Sequence, residues 1–302
     1  MKIMRKPASG SEKAFNFISY VLMVILALIC IFPCLHVISK SISGGTEVTT
    51  GQITFFPKAP QFETIKYIFE KTEFLNCLKN SLIVTGLGTL ISMFTTITAA
   101  YPLSKPQLPG RKLFVLLYVI SMVFFGGIVP AYMVVNTLGI LDTYWACILP
   151  FAIVQFNMFI LKSYFEGIPE SVEEAAHIDG ASDIQTLVMI VIPMSKPAIA
   201  TVSLLYAVNY WNNYFHAMMY TSSSSMRTLQ VYLYDIISNG QAFLENQYSG
   251  AFGSNAGKTM ENITTDGIVA AAVTLSLIPI VALYPFVQKY VVQGISLGSV
   301  KG

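Results

Sequence analysis

The stretch "EEAAHIDGASDIQTLVMIVIP", residues 173–193, opens on Glu173 and Glu174 and adds Asp179 and Asp183, in a chain of which only 11% is charged. Just ahead of it stands "GIPESVEE", residues 167–174. Pro169 ends one helix, and Ser171 followed by Glu174 predicts the capping box of a new one. Acidic residues in a first turn also suit the helix dipole. Apolar residues recur at Ala175, Ile178, Ala181, Ile184, Val188 and Val191, three or four apart, so one face is greasy and the other polar. Gly180 predicts a weak break or a close backbone approach. Pro193 and Pro197 end the segment and start the apolar run after it. The expectation is one or two short amphipathic helices between two apolar runs.

Composition explains why such a segment stands out. Of 302 residues, 54% are hydrophobic, and mean hydropathy is +0.61. Ordinary globular chains are about 25% charged, so this one cannot cover a soluble surface and is read as a membrane protein. A net charge of +2 gives no case for nucleic acid as partner. Cys30, Cys34, Cys77 and Cys147 show neither a disulfide framework nor metal-ligand spacing. Cys30 and Cys34, one helical turn apart, read as small buried side chains ahead of a redox pair.

Six runs are long enough to cross a bilayer as helix, which takes about 20 residues: 14–38, 81–103, 113–135, 143–161, 198–218 and 268–288. Apart from their ends, none contains Lys, Arg, Asp or Glu. Backbone groups in lipid must be satisfied within the segment, which favours helices throughout. The expected fold is an all-α integral membrane protein with six transmembrane helices. The start "MKIMRK" fits a signal-peptide n-region, but the run after it is long and lacks a small-x-small cleavage site, so a retained signal-anchor is expected.

Orientation follows Lys and Arg in the short connections. Lys2, Arg5, Lys6 and Lys13 precede the first span; Lys105, Arg111 and Lys112 follow the second; "NTLGILD" after the third carries none. Both termini are then cytoplasmic. The first long connection holds Lys40, Lys58, Lys66, Lys71 and Lys79, but long loops translocate with little regard to charge. Residues 173–193 accordingly lie in a cytoplasmic connection, 162–197. The segment 219–267, rich in Gly, Ser and Asn, is expected to form an outer cap or loop.

One reading of 173–193 is a connection resting on lipid headgroups, with Glu174 merely capping. An interfacial helix should show Lys or Arg on its polar face, whereas this one shows Glu173, Glu174, Asp179 and Asp183, with no basic residue between Lys162 and Lys196. Docking to another protein explains an acidic face better.

The segment resembles the coupling loop of ATP-binding-cassette importer permeases, the EAA motif. Its pattern is E-A-A, three residues, Gly, nine residues, then I-x-L-P. Glu174-Ala175-Ala176, Gly180, Ile190 and Ile192-Pro193 stand at that spacing, with Ile192 in place of Leu. "EEAAHIDGAS" and the ending "YVVQGISLGSVKG" are similar to the carbohydrate branch, and the likeness extends over residues 15–301. The resemblance implies a type I importer permease fold with a cytoplasmic coupling helix seated in a groove of a separate ATPase. Glu173, Glu174, Ala175, Ala176, Asp179, Gly180 and Ala181 would form the coupling surface. Glu174 would meet a basic or donor group of the ATPase, cap its own helix, or both. Changing Glu174 or Gly180 is then expected to uncouple ATP use from transport.

The implied partners are a second, homologous permease, two ATPase subunits that bind ATP and Mg, and an extracellular or periplasmic solute-binding protein. The substrate would be an oligosaccharide, and the site a prokaryotic plasma membrane. The chain itself would hold no cofactor and be no enzyme. Its layout would be a cytoplasmic N-terminal segment, 1–13, a permease domain, 14–290, and a cytoplasmic tail, 291–302, reaching towards the ATPases.

Three other features invite function. "GSNAGKT", 253–259, is not a phosphate loop: Gly253 and Gly257 enclose three residues where four are needed, and no apolar strand precedes them. "NYWNNYFHAMMY", 209–220, mixes amides and aromatics. Asn209, Trp211, Asn213 and Tyr214 are candidates for a sugar pathway, against an interfacial aromatic belt with permease packing; Gln155 and Asn157 in the fourth span invite the same reading. His36, His177 and His216 lack partners at metal-binding spacing, and Asn262-Ile263-Thr264 is a sequon that matters only in a secretory host. The competing classes are an ion-coupled transporter or channel, which would need charges inside its spans, and an intramembrane enzyme, for which no catalytic motif is present.

Overall fold

Long apolar runs without internal charge give long helices, and breaks fall where Pro, Gly or Asn interrupt them. The computed structural model describes residues 10–124, 126–249 and 263–298. Among these every regular element is a helix. In chain order they are α1 (Gly10–Ser41), α2 (Gly45–Thr49), α3 (Glu63–Lys71), α4 (Phe74–Ser104), α5 (Arg111–Val123), α6 (Ile128–Thr137) and α7 (Tyr144–Ile148). Then come α8 (Gln155–Glu166), α9 (Glu170–Ile178), α10 (Asp183–Thr186), α11 (Ile192–Met194), α12 (Lys196–Asn212), α13 (Phe215–Tyr220), α14 (Leu229–Ser249) and α15 (Thr265–Gly298).

Helix α1, helix α4 and residues 265–283 are each long and apolar enough to cross a membrane. Three bent pairs bring the number to six if each pair is one span. Two of these bends fall within runs read as continuous, the third and the fourth; the third bent pair turns at Ser195, ahead of the fifth run, which is interrupted separately. The third run divides into α5 and α6, with Gly127 at φ 94° before α6. The fourth bends by 51° between residues 144–151 and 155–166, where Pro150 removes a backbone donor. The fifth stops at Asn212. The Asn213 carboxamide turns back to accept from the His216 amide at 3.4 Å and lies 2.9 Å from its Nδ1, competing with helix continuation.

The chain divides into two units, taken here one at a time. The first holds the described parts of 1–72 and 239–275. Helix α1 exposes its apolar side chains along most of its length, and Cys30 and Cys34 are exposed rather than buried as the sequence reading expects. A helix that is apolar all round offers no face that predicts which cysteine is covered. Against its far end lies the 50–62 loop, where Phe32 meets Phe55 edge-on at 4.6 Å and Ser39 donates to the Phe55 carbonyl at 2.6 Å. Lys40 pairs with Asp266 at 2.7 Å.

The second unit holds 73–238 and the described part of 276–302. Its core is α4 against α8 and α12. On α4, Val84, Gly88, Ser92, Thr96 and Ala100 repeat every four residues and are buried. On α12, Ala198, Val202, Tyr206 and Tyr210 do the same. Ser92 meets Tyr210 and Thr96 meets Tyr206, so the two rows run antiparallel, small side chains on one helix admitting rings from the other. A Cβ built on Gly88 would lie 2.8 Å from the Tyr210 ring, and that ring is held at its hydroxyl by Ser92 and the Ile148 carbonyl. Gly88→Val is expected to cost about 1–3 kcal/mol by overpacking, read as a lower unfolding temperature in detergent.

The expected outer loop, 219–267, is not a loop throughout: α14 fills 229–249, interrupted at Asn239, and Leu229, Tyr232 and Ile236 are fully buried. Its polar residues hid apolar positions at helical spacing. The expected tail, 291–302, begins inside α15, which stays helical to Gly298. Residues 253–259 and Asn262 lie outside the described residues.

Asp142, at φ 56°, ties two connections together. Its amide donates to the Tyr220 carbonyl at 3.0 Å, and its carboxylate accepts from the Ser222 and Ser223 amides at 2.6 and 2.9 Å. The Ser223 amide, then that of Ser222, holds the Asp142 carboxyl below its ordinary range. A depressed carboxylate contributes stability above its unfolded value, about 3.9, and loses it as pH falls through the lower folded value. Hydrogen exchange at Ser222 and Ser223 should therefore be slow at neutral pH and lose this protection in strong acid; Asp142→Asn should remove most of the pH dependence.

Candidate functional site

The 173–193 stretch forms two short helices joined by a tight turn. Pro169 is the N-cap of α9 at φ −59°, ψ 129°, so the helix starts at Glu170. The capping box expected at Ser171 and Glu174 is therefore absent: Ser171 already lies in the first turn, because the proline ring sets the start two residues earlier. The capping box that exists belongs to α10. Ser182 Oγ accepts from the Gln185 amide at 3.4 Å, and Gln185 Oε1 accepts from the Ser182 amide at 2.9 Å.

Between the helices, Ala181 donates to the Ala176 carbonyl at 2.9 Å and Gly180 to the His177 carbonyl at 3.0 Å. Those two bonds are a Schellman motif, with Gly180 at its left-handed position, φ 86°. Nothing lies within 4 Å of a Cβ built there. The glycine is thus needed for its backbone angle within the chain, not for a close approach to another part of it.

The expected coupling residues separate into two sets. Glu173 and Ala176 face inward and are buried, and Ala181 is half-buried. Glu174, Ala175, Asp179 and Gly180 are exposed. So are large apolar side chains on the same surface: Ile178 is 86% exposed, Ile184 74% and Met189 71%. Of the greasy face read from the sequence, Ala175, Ile178, Ile184 and Val188 stay uncovered within the chain, beside Glu174, Asp179 and Asp183, while Ala181 is half-buried and Val191 is buried. After α10 a π-helical turn, Leu187–Val191, leads through α11 to Ser195. There the chain bends by 84° into α12.

Behind this surface is a cleft of about 980 Å³, lined by the end of α4, the 105–111 loop, the end of α8, and α9 and α10. Ion pairs cross it. Glu173 bonds Lys105, and Glu166 bonds both Arg111 and, at 2.7 Å, Lys162. Gln107 donates to Glu170 at 3.2 Å.

The four residues read as a possible sugar pathway do not share one face. Asn209 is exposed, while Trp211 is buried with its indole nitrogen unpartnered. Asn213 turns back on His216, and Tyr214 stacks on Tyr234 at 5.4 Å. Gln155 reaches Ser121 at 3.3 Å, and Asn157 is buried.

A set of hydroxyls missed by the sequence reading sits at the break in the fourth span. Tyr206 OH accepts from the Val154 amide at 2.9 Å and shares a hydrogen bond with Thr96 at 2.7 Å. Tyr210 OH accepts from Ser92 at 2.8 Å and donates to the Ile148 carbonyl at 3.1 Å, and Thr95 donates to the carbonyl of Ala152. Together they satisfy backbone groups that the bend releases, which an apolar surrounding requires. The available signal was the four-residue spacing of Ser92 with Thr96 and of Tyr206 with Tyr210.

Known proteins are similar to this chain in sequence and in fold. The chain is 40% identical over 276 residues to Protein LplC of Bacillus subtilis (strain 168), covering 91% of this chain and 90% of that one. It is 39% identical over 291 residues to the polygalacturonan/rhamnogalacturonan transport system permease protein YtcP of the same organism, covering 96% and 99%. A solved bacterial ABC transporter involved in the import of the acidic polysaccharide alginate aligns with a TM-score of 0.84 at 33% identity, over 95% of this chain and 100% of that one. Residues 82–297, containing both the exposed α9–α10 surface and the α4–α12 core, match the family of binding-protein-dependent transport system inner membrane components, and this chain belongs to it.

Proposed function

We propose that this chain is the permease subunit of an ATP-driven importer that takes up an oligosaccharide delivered by a solute-binding protein. The observation that carries the coupling half of this reading is the uncovered surface of α9 and α10. Ile178, Ile184 and Met189 stand exposed there beside Glu174, Asp179 and Asp183. Apolar area framed by one sign of charge fits a protein groove that carries basic groups. The partner assigned to that groove is an ATPase subunit that binds ATP and Mg, a reading that membership of the binding-protein-dependent transport family supports. Of the coupling residues, Glu174, Ala175, Asp179 and Gly180 meet that ATPase, while Glu173, Ala176 and Ala181 hold the turn in place.

The substrate reading rests on the relatives named for polygalacturonan, rhamnogalacturonan and alginate. Six spans from one chain make half a pathway, so a second, homologous permease completes it. Residues 1–13 and 291–302 lie in the cytoplasm, 14–290 form the permease domain in the plasma membrane of a prokaryote, 162–197 carry the coupling surface and 219–267 face outward. ATP binding draws the ATPases together, and α9 and α10 pass that motion to the spans. An ion-coupled transporter would need charges within its spans, and family membership leaves that alternative without support.

The test is co-purification from detergent followed by uptake in proteoliposomes. A panel of oligogalacturonides, alginate oligosaccharides and maltooligosaccharides serves as substrate. Recovery of a second permease and an ATPase, with hydrolysis rising when a sugar-loaded binding protein is added, is the expected result. A chain that purifies alone and transports without ATP would overturn the reading.

A further inference from the structure

Glu173 precedes the E-A-A triplet and was expected on the ATPase surface, yet its carboxylate points into the protein and bonds Lys105. Lys105 is the C-cap of α4, and its ammonium also sits 4.6 Å from the centre of the Tyr101 ring. Helix α9 does not rest on α4 through a filled apolar interface at this point. A cleft of about 980 Å³ lies between the two, lined on one side by Tyr101, Pro102 and Lys105 and on the other by Glu173, Glu174 and His177. Across a cleft, force passes only where side chains bridge it. Bridges across it include Lys105–Glu173, Arg111–Glu166 and Gln107–Glu170, and the Tyr101 hydroxyl of α4 also hydrogen-bonds the Glu173 carboxylate. Of the two ion pairs, Lys105–Glu173 alone joins α9 itself to the end of a span-length helix.

We propose that Lys105 and Glu173 form a strut that transmits movement of α9 directly to α4, in parallel with the covalent route through Ser195 and α12. This rests on the coupling reading above. Glu173 is 8% exposed. A carboxylate that buried cannot part from its cation without a large desolvation penalty, so the pair stays closed while the elements around it move. Its rotation therefore appears at the end of α4. That helix in turn carries Ser92 and Thr96, which hold Tyr210 and Tyr206 of α12. The two routes meet at this row of hydroxyls, so pushing on α9 and turning α12 are made one motion. Lys105 is a positioning residue: it touches neither substrate nor nucleotide.

The test uses the complete importer in proteoliposomes, with the panel oligosaccharide that the unchanged importer transports. Three forms are compared: unchanged, Lys105→Met, and the exchanged pair Lys105→Glu with Glu173→Lys. Sugar imported per ATP hydrolysed is the decisive readout, beside the amount of ATPase that co-purifies and the unfolding temperature. Lys105→Met should lower the ratio by about fivefold or more, the lower end of coupling between sites, with ATPase binding unchanged. The exchanged pair should restore most of it. An unchanged ratio in Lys105→Met overturns the strut, and so does a loss confined to stability or assembly. An unchanged importer whose hydrolysis ignores the sugar-loaded binding protein overturns the coupling reading itself, a result visible before any variant is made.

Discussion

An importer carrying Gly180→Val is expected to hydrolyse ATP while moving little sugar. Gly180 holds φ 86° and closes the Schellman motif that sets α9 against α10. A residue with a Cβ pays roughly 1–2 kcal/mol there, and a β-branched one more. Because 1.4 kcal/mol is about tenfold in an equilibrium, a valine should leave most molecules with a distorted turn and a misaligned docking surface. The space around the position is open, so strain and not collision decides the order. Asn, which tolerates the left-handed region, should be mildest, Ala intermediate and Val worst. Transport per ATP measured for the three variants checks this. An order that follows side-chain volume instead, with Asn worse than Ala, would mean that Gly180 is small because the partner seats against it.

Tyr206→Phe should be the most damaging single-atom deletion in the α4–α12 core. It leaves the Val154 amide and the Thr96 hydroxyl without the partner they share, in a surrounding where water does not replace it. Each buried group left unsatisfied costs about 1–3 kcal/mol. Thr96→Val removes the same side-chain pair but keeps the Val154 bond, so its effect on unfolding temperature should be clearly smaller. Thr96→Val added to Tyr206→Phe should cost little more, because their shared bond is already gone. Equal effects of the two single changes would place the weight on the Thr96 pair and remove the role assigned to the bent backbone.

How much of this was legible depends on the range of the forces involved. The stretches long and apolar enough to cross a membrane were readable because apolar length without charge is a local and additive property. The two short helices of 173–193 were readable for a similar reason: periodicity and a single glycine act within a few residues. The capping box failed by eleven residues for a local reason too, since Pro169 had already set the start of α9 and left Ser182 to cap the next helix. The residues at 209–214 were chosen for their chemistry, and the fold scattered them, because Asn209 and Trp211 point to different sides of α12 while Asn213 and Tyr214 lie in the break after it.

By itself the sequence determined an all-helical membrane chain with an amphipathic acidic segment between two of its apolar runs, and it located the break at Gly180. Only the tertiary structure decided where the fourth run bends, since Pro150 permits a bend but distant hydroxyls on α4 and α12 satisfy the backbone groups it releases. It also decided which of two adjacent glutamates turns inward. Glu173 and Glu174 have the same chemistry, and a lysine 68 residues earlier in the chain tells them apart. Hydropathy and capping act along the chain, whereas the partner of a charge or a hydroxyl is set by what folding brings beside it.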